Sequence, residues 1–370
     1  MTKAVAQAPK YQQVYSALRR DIQSGRLGSG ARLPSEAELV RQFGASRITV
    51  GRAVRELQVA GLVERRAGSG TYVRRPVETT GLSFGLLIPD LGETDIFEPI
   101  CQGMMASPLA REHALIWGSP SGGSGARDEE AWRLCRQYIE RRVSGVFFAP
   151  LELAAGKDDV NLRIAQALDD ARIPIVLLDR TVVPYPRRGH HDLVGIDNRR
   201  AGYVITEHLL RLGARRIAFI GLPNTAPTVD AREAGYREAL YRGDAPVERQ
   251  LVGRFDPADH AAVRAFMDGV RPDAIVCAND RTAARLMHTL LRLQYNVPRD
   301  VRLVGIDDAE FASLLPVPLT TLRQPSRQIG DAALAAMLQR AARADLPPRD
   351  ILLHCELIVR ESCGSTGGEH

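Results

Sequence analysis

Arg47, Ile48, Thr49 and Arg52 stand close together in the stretch SRITVGRAVRELQVAGLVERRAGSGTYV, residues 46–73. An arginine can fork onto O6 and N7 of a guanine, and an aliphatic side chain can meet a thymine methyl. Farther along, acidic and amide residues follow short apolar runs: Asp90, Asp179, Asn279 with Asp280, and Asp307 with Asp308. Each can make several hydrogen bonds to the hydroxyls of a polyhydroxylated ligand. Any one of them suits a helix cap equally well; the set says more than its members.

The first group needs a helix to present it. Residues 10–24 place Val14, Tyr15, Leu18 and Ile22 on one helical face. After a turn-rich segment, Ser35 and Glu38 form a capping box, Leu39 and Phe43 turn inward, and Gly44 ends a short helix. Ser46 then caps a further helix with Val50, Ala53, Val54 and Leu57 inward. Helix, short glycine-containing turn and helix make a helix-turn-helix, whose second helix enters the major groove by its N-terminal end. Arg47, Ile48, Thr49 and Arg52 point away from the inward set. Gly51 costs about 1 kcal/mol against alanine in mid-helix; it either admits a close approach to DNA or is simply tolerated. LVERRAGSGTYV reads as a two-stranded wing turned by Gly68 and Gly70, with Arg65, Arg66, Arg74 and Arg75 offered to phosphates or the minor groove.

Charge divides the chain in the same place. Residues 1–76 carry 14 Lys and Arg against 5 Asp and Glu, a net of +9, which leaves −4 for the rest. That split suggests that only the small module meets a polyanion, a merely solvated basic face being the plainer alternative. The 370 residues, 45% hydrophobic and 25% charged, suffice for two or three cores. The five cysteines form no CxxC and read as reduced thiols in a cytoplasmic protein. No apolar run approaches the length of a membrane span, and the start has no signal-peptide core.

From Leu82 the pattern alternates strand-like runs (SFGLLIPD, GVFFAP, PIVLLD, RIAFIG, AIVCAND, VRLVGIDD) with helix-like ones. That alternation predicts parallel sheets wound on both faces, in two lobes with a cleft at the strand carboxyl ends. The overall fold class is therefore a small α+β winged helix-turn-helix domain followed by an α/β two-lobed domain. Arg232 opens a helix near a strand end and suits a hydroxyl or carboxylate; a surface ion pair with Asp230 or Glu233 is the plainer alternative. GxSxG, GxxxxGK[ST] and HExxH are absent, SGGSGARDEE has no phosphate-binding lysine, and the reading is of a non-enzyme without cofactor. His190 and His191 read as part of a loop between the lobes rather than as metal ligands.

Two families are resembled. LPSEAELVRQFGASRITVGRAVRELQVAGLVERRAGSGTYV resembles the winged helix-turn-helix of the GntR family along its whole length. The resemblance implies base contact from Arg47, phosphate contact from Thr49 and minor-groove contact from the wing tip at Gly68, Ser69 and Gly70. Ser35, Ile48, Arg52 and Thr71 complete the expected DNA-binding set. Ala37 and Gly51 depart from the basic residues many members carry. VGIDNRRAGYVITEHLLRLGARRIAFIG, DAREAGYREAL, the segment 273–308 and PLTTLRQP resemble the effector domain of LacI/GalR regulators, related to periplasmic sugar-binding proteins. That likeness implies effector contacts at Asp179, Arg232, Asn279 and Asp307, and more loosely at Asp90, Phe97 and Phe255. It implies two lobes joined by three crossovers, one around 181–190 and another at TTLRQP. The linker RRPVETTG lacks the hinge-helix pattern of LacI relatives, and the whole is similar to regulators of the arabinose-repressor type.

The expected organisation is a disordered start over 1–9, a DNA-binding domain over 10–75, a linker over 76–81, an effector and dimerisation domain over 82–361 and a disordered tail over 362–370. The expected function is a homodimeric repressor of double-stranded operator DNA, released by a small sugar. The rival is a regulator that no longer binds a ligand, or that binds a purine or nucleoside.

Overall fold

The computed structural model describes residues 10–23, 26–28, 30–59, 62–66, 69–73, 81–89, 95–118 and 127–365. The chain divides into two compact units at the boundary between Thr80 and Gly81.

In the first unit, α1 (Lys10–Gln23), α2 (Glu36–Phe43) and α3 (Arg47–Val59) precede a wing of β1 (Val63–Arg66) and β2 (Gly70–Val73). Val14, Leu18, Leu39, Val50, Ala53 and Leu57 pack together as its core, on the faces that helical spacing predicts. Glu38 N donates to Ser35 Oγ at 3.3 Å and Ser35 N donates to Glu38 Oε2 at 2.7 Å, which is the capping box. The Ser35 hydrogen bonds, side chain first, hold the Glu38 carboxyl below its usual range. Gly44 closes α2 in the left-handed region at φ 54°, where a Cβ would be strained. The segment ahead of α2 extends the wing: Leu33 N donates to Thr71 O and Val73 N to Ala31 O, each at 2.8 Å.

The second unit has two lobes. One contains β3 (Ser83–Leu87), β4 (Ala114–Trp117), β5 (Gly145–Phe148), β6 (Ile175–Leu178), β7 (Asp192–Ile196) and β13 (Asp350–Leu353). The other contains β8 (Ile217–Gly221), β9 (Val252–Arg254), β10 (Ala274–Cys277), β11 (Arg302–Asp307), β12 (Thr320–Arg323) and β14 (Glu356–Ile358). Among the described residues each lobe forms one six-stranded sheet, ordered β13-β7-β6-β5-β3-β4 and β14-β12-β11-β10-β8-β9. All pairs are parallel except β12 with β14. Helices α4 (Phe97–Ala106), α5 (Arg127–Glu140), α6 (Lys157–Asp170) and α11 (Ser326–Ala342) cover the first sheet; α7 (Asn198–Arg211), α8 (Pro227–Arg242), α9 (His260–Val270) and α10 (Asp280–Arg292) belong to the second. Central strands β5, β6, β8 and β10 are buried at every position, as a sheet covered on both faces requires.

Among the described residues each lobe has a helix pair in close backbone contact at its glycines. A Cβ on Gly202 of α7 would overlap the carbonyl oxygen of Arg232 in α8, and one on Gly235 would overlap that of Arg199. Gly103 of α4 and Gly330 of α11 meet Arg327 and Ile100 in the same way. The first pair fixes the height of Arg232 over the sheet.

Expectations for the first crossover, the tail and Phe97 are corrected here, and that for Phe255 with the cleft below. The segment 181–190 is not a crossover: β6 and β7 are parallel neighbours, Val176 opposite Asp192, so it loops within the first lobe. The crossing follows Ile196. The strand DLVGI had no long apolar run to reveal it, because it opens with a buried aspartate behind a polar loop. The second crossover does fall at TTLRQP, between β12 and α11, and the third lies between β13 and β14. The tail does not begin at 362: Ser362 and Cys363 are buried, and Ser362 Oγ donates to Leu303 O at 2.6 Å. The burial of one apolar thiol and one satisfied hydroxyl anchors the chain there; residues 366–370 lie outside the described part. Third, Phe97 is core, as shown below. Cys101, Cys135, Cys277 and Cys363 are buried free thiols and Cys355 is half-buried.

Candidate nucleic-acid interface and effector cleft

Ser46 starts α3 by accepting from Thr49 N at 3.2 Å, and the two hydroxyls lie 2.8 Å apart. Val50, Ala53 and Leu57 are fully buried beneath, whereas Ile48 is 81% exposed on the opposite face. Arg47 is exposed and its Nε lies 3.5 Å from Glu36. Arg52 sits 3.9 Å over the Tyr11 ring centroid, with Glu56 at 3.3 Å from its Nε. Ile48 therefore lies outside the head's core and is free to meet a thymine methyl, although a lone exposed aliphatic side chain is ordinary by itself. Ser35 is different: its hydroxyl is engaged with Glu38 in the cap. In the wing, Arg65 pairs with Thr71 and Arg66 with Gly70 in register. Gly70 has φ 122°, which favours glycine there, and a Cβ would come within 2.8 Å of the flexible Arg32 side chain at Nε. Ser69 and Tyr72 hydroxyls lie 2.6 Å apart. Gly68 lies outside the described residues.

In the second unit, Asp179, Arg232, Asn279 and Asp307 come together. They line one cavity of about 180 Å³ between the lobes. Asp179 follows β6, Asn279 follows β10 and Asp307 ends β11, while Arg232 rises from α8. Asp179 has φ 66° and Asp307 has φ 136°. Backbone of this kind at a non-glycine residue stores strain and gathers at ligand sites. Arg232 is buried: its Nε donates to Asn198 Oδ1 at 2.8 Å, Nη1 donates to Ala278 O at 2.6 Å, and Nη2 lies 3.8 Å from Asp307 Oδ1. That geometry excludes the surface pair with Asp230 or Glu233. Asn279 caps α10, its Oδ1 accepting from Thr282 N at 2.8 Å.

Burial sets the proton inventory. It pushes Asp307 up to about 8, against the pull of Arg232 and with the push of Asp280. Burial also raises Asp280 to about 6, although the Thr321 hydroxyl and Ala309 N–H bind its carboxyl. Asp179 is raised for the same first reason, with Arg180 and Arg232 opposing. Glu152 goes the other way: burial would raise it, but the Arg180 guanidinium at 2.7 Å and the Ala226 N–H hold it low. The cleft thus offers a carboxyl whose ionisation burial disfavours, a carboxylate held low by Arg180 and a fixed guanidinium.

Other predicted residues fall elsewhere. Phe97 is 1% exposed in the first lobe's core, with Arg180 5.3 Å above its ring centroid. It does not line the cavity, because the helix α4 turns its first side chain onto the sheet. Phe255 packs on Phe266 at 5.3 Å and does not line the cavity. Asp90 lies outside the described residues. Sequence reasoning missed Glu152, Arg180, Asn198, Gln324 and the pair Asp95–Arg281, whose 3.3 Å contact joins the lobes across the cleft. Arg180 stands two residues beyond β6 and Glu152 four beyond β5, so a wider strand-end rule could have found them; Asn198 and Arg281 lie at helix starts and carry no such signal.

Residues 10–73 match the model of the bacterial regulatory proteins of the gntR family, and residues 206–363 match that of the periplasmic binding protein-like domain. The HTH-type transcriptional regulator CelR of Thermobifida fusca is 30% identical over 86% of this chain and 89% of its own. The chain belongs to the helix-turn-helix transcriptional regulators. It is a DNA-binding regulator with a GntR-type head and a LacI-like body. The arabinose metabolism transcriptional repressor of Geobacillus stearothermophilus is 28% identical to this regulator, over 96% of this chain and 97% of its own. A solved complex of transcriptional regulator CelR with cellobiose covers 86% of the chain and 91% of itself, at 26% identity and a TM-score of 0.64. Among the described residues no helix is long and apolar enough to cross a membrane.

Proposed function

We propose that this regulator is a cytoplasmic homodimeric repressor whose operator complex is released by a small, neutral sugar bound between the lobes of its body. The observation that carries this reading is the convergence of Asp179, Arg232, Asn279 and Asp307, from both lobes, on one cavity. A site with a neutral carboxyl, an ionised carboxylate and a single buried arginine fork matches vicinal hydroxyls, which donate and accept in pairs. Relatives named for arabinose metabolism and solved with cellobiose support a sugar. In the head, Arg47 and Ile48 are assigned to base edges, Thr49 and Arg52 to the backbone, and Ser69, Gly70 and Thr71 to the wing contact. Two heads on a symmetric body would read a palindromic operator. Sugar binding favours one arrangement of the dimer over another, with a coupling of about 1–3 kcal/mol. No reaction is assigned to the cleft; its groups bind.

The test is a thermal-shift screen of the full chain against monosaccharides, sugar acids, sugar phosphates and nucleobases, followed by operator release with whichever compound stabilises. A dose-dependent rise with a neutral sugar is expected. Stabilisation by a nucleobase alone would replace the sugar reading.

A further inference from the structure

The first lobe carries a second group of chemistry-bearing side chains, at the end of its sheet remote from the cleft. β7 begins at Asp192, so the loop ahead of it lies at the amino ends of the parallel strands, whereas Glu152 and Asp179 follow the carboxyl ends. There His190 and His191 meet Asp169, in the last turn of α6. His190 Nε2 is 2.8 Å from Asp169 Oδ2, and His191 Nε2 is 3.1 Å from Oδ1 and 3.2 Å from Oδ2. One donor atom from each of the three lies within 4.8 Å of the others.

We propose that Asp169, His190 and His191 form a binding site for one divalent transition-metal ion of the zinc, cobalt or nickel class. Two imidazole nitrogens and one carboxylate oxygen suit these ions, while magnesium and calcium favour oxygen alone. Ligands held tetrahedrally at about 2.0–2.1 Å from zinc stand roughly 3.3 Å apart. The histidine–aspartate spacings of 2.8–3.2 Å need open by only a few tenths of an ångström, and the two imidazole ligand atoms stand within 4.8 Å of each other.

Two further observations point to a cation. α6 ends in Asp169 and Asp170 and has no basic residue in its last turn, so two carboxylates meet the negative end of the helix dipole. Asp170 accepts from Gln166 at 2.8 Å, which leaves Asp169 to the histidines. The site is also graded from wall to solvent. His191 is 5% exposed, Asp169 29% and His190 74%, so an ion can enter and keep a water. The wall is anchored: Asp192, next to His191, is bound by Arg340 and Arg349 at 2.7 and 3.0 Å. Metal at Nε2 moves each imidazole proton to Nδ1. Among the described residues His191 Nδ1 is buried without a partner, and a ligand lacking that outer hydrogen bond binds about 10–100-fold more weakly. The ion is therefore exchangeable, not a permanent part of the fold.

The experiment is titration of the full, tag-free chain with zinc chloride by calorimetry at pH 7.5, repeated with cobalt to read its visible absorption. One ion per chain is expected, with tetrahedral cobalt bands and no heat from magnesium. His190→Ala, an exposed position, and Asp169→Asn should each lower the affinity at least tenfold, with the metal-free melting temperature of His190→Ala unchanged. No saturable binding by the wild type, or an equal affinity in His190→Ala, would overturn the proposal, the latter sending the ion to the cysteines.

Discussion

Gln324 Nε2 donates to Asp307 Oδ1 at 2.7 Å, tying the crossover between β12 and α11 to a carboxyl of the cleft. Gln324 is the first residue beyond β12, where the chain leaves the second lobe. The side chain that opens this crossover and the Asp307 carboxyl are thus held together directly, with no residue between them.

Replacing Asp307 by Asn is expected to change the pH profile of stability. Asp307 titrates at about 8 when folded and at about 3.9 when unfolded. Between these values the unfolded chain is ionised while the folded chain keeps its proton, so stability falls as pH rises from about 4 to 8 and then levels. The variant lacks this slope. It should melt above the wild type at pH 8, converge with it at pH 4, and give no shift with the effector. A wild type that gains stability over this window relative to the variant would show Asp307 ionised instead.

Arg232→Ala removes the donors to Asn198 and Ala278 and opens a space beneath the cleft. A loss of about 3 kcal/mol in urea denaturation is expected, together with loss of effector binding. Gly235→Ala should cost effector affinity as well, because α8 must then lift from α7 and carry Arg232 with it. An intact thermal shift in both variants would take Arg232 out of the site.

Gly51→Ala meets no atom within 4 Å in the folded head. Helix propensity alone should stabilise the head by about 1 kcal/mol. Gly51 shares its face with Ile48 and Arg47, three and four residues away. Operator affinity should therefore fall while stability rises, measured by fluorescence anisotropy beside thermal melts. Unchanged affinity would leave Gly51 as a tolerated residue.

Arg47→Ala removes only an exposed 3.5 Å contact to Glu36, so stability should change by less than about 0.5 kcal/mol. Operator affinity should drop by about 1–3 kcal/mol at one base pair, with relaxed preference there. A uniform loss across sequences would reassign Arg47 to a phosphate.

The sequence by itself determined the local structure of the head and the class of the body. Ser35 with Glu38, Gly44, Ser46 and the spacing of Val50, Ala53 and Leu57 are short-range signals, each acting within a turn or two of helix, and each is found as read. The buried strands were legible because a strand covered on both faces must be apolar throughout. β7 and the edge strands β4, β9 and β13 were not, since their burial comes from neighbours distant in the chain. Only the tertiary structure decided which polar residues meet. Phe97 and Asp179 look equally available in the sequence, yet the packing of α4 sends one into the core and the end of β6 sets the other in the cleft. Asp169 and His190, distant in sequence, are neighbours because α6 runs back along β6 to the start of β7. Periodicity encodes which face of an element is buried; the sheet order and the crossings, which place one element's end against another's, are written in no single segment.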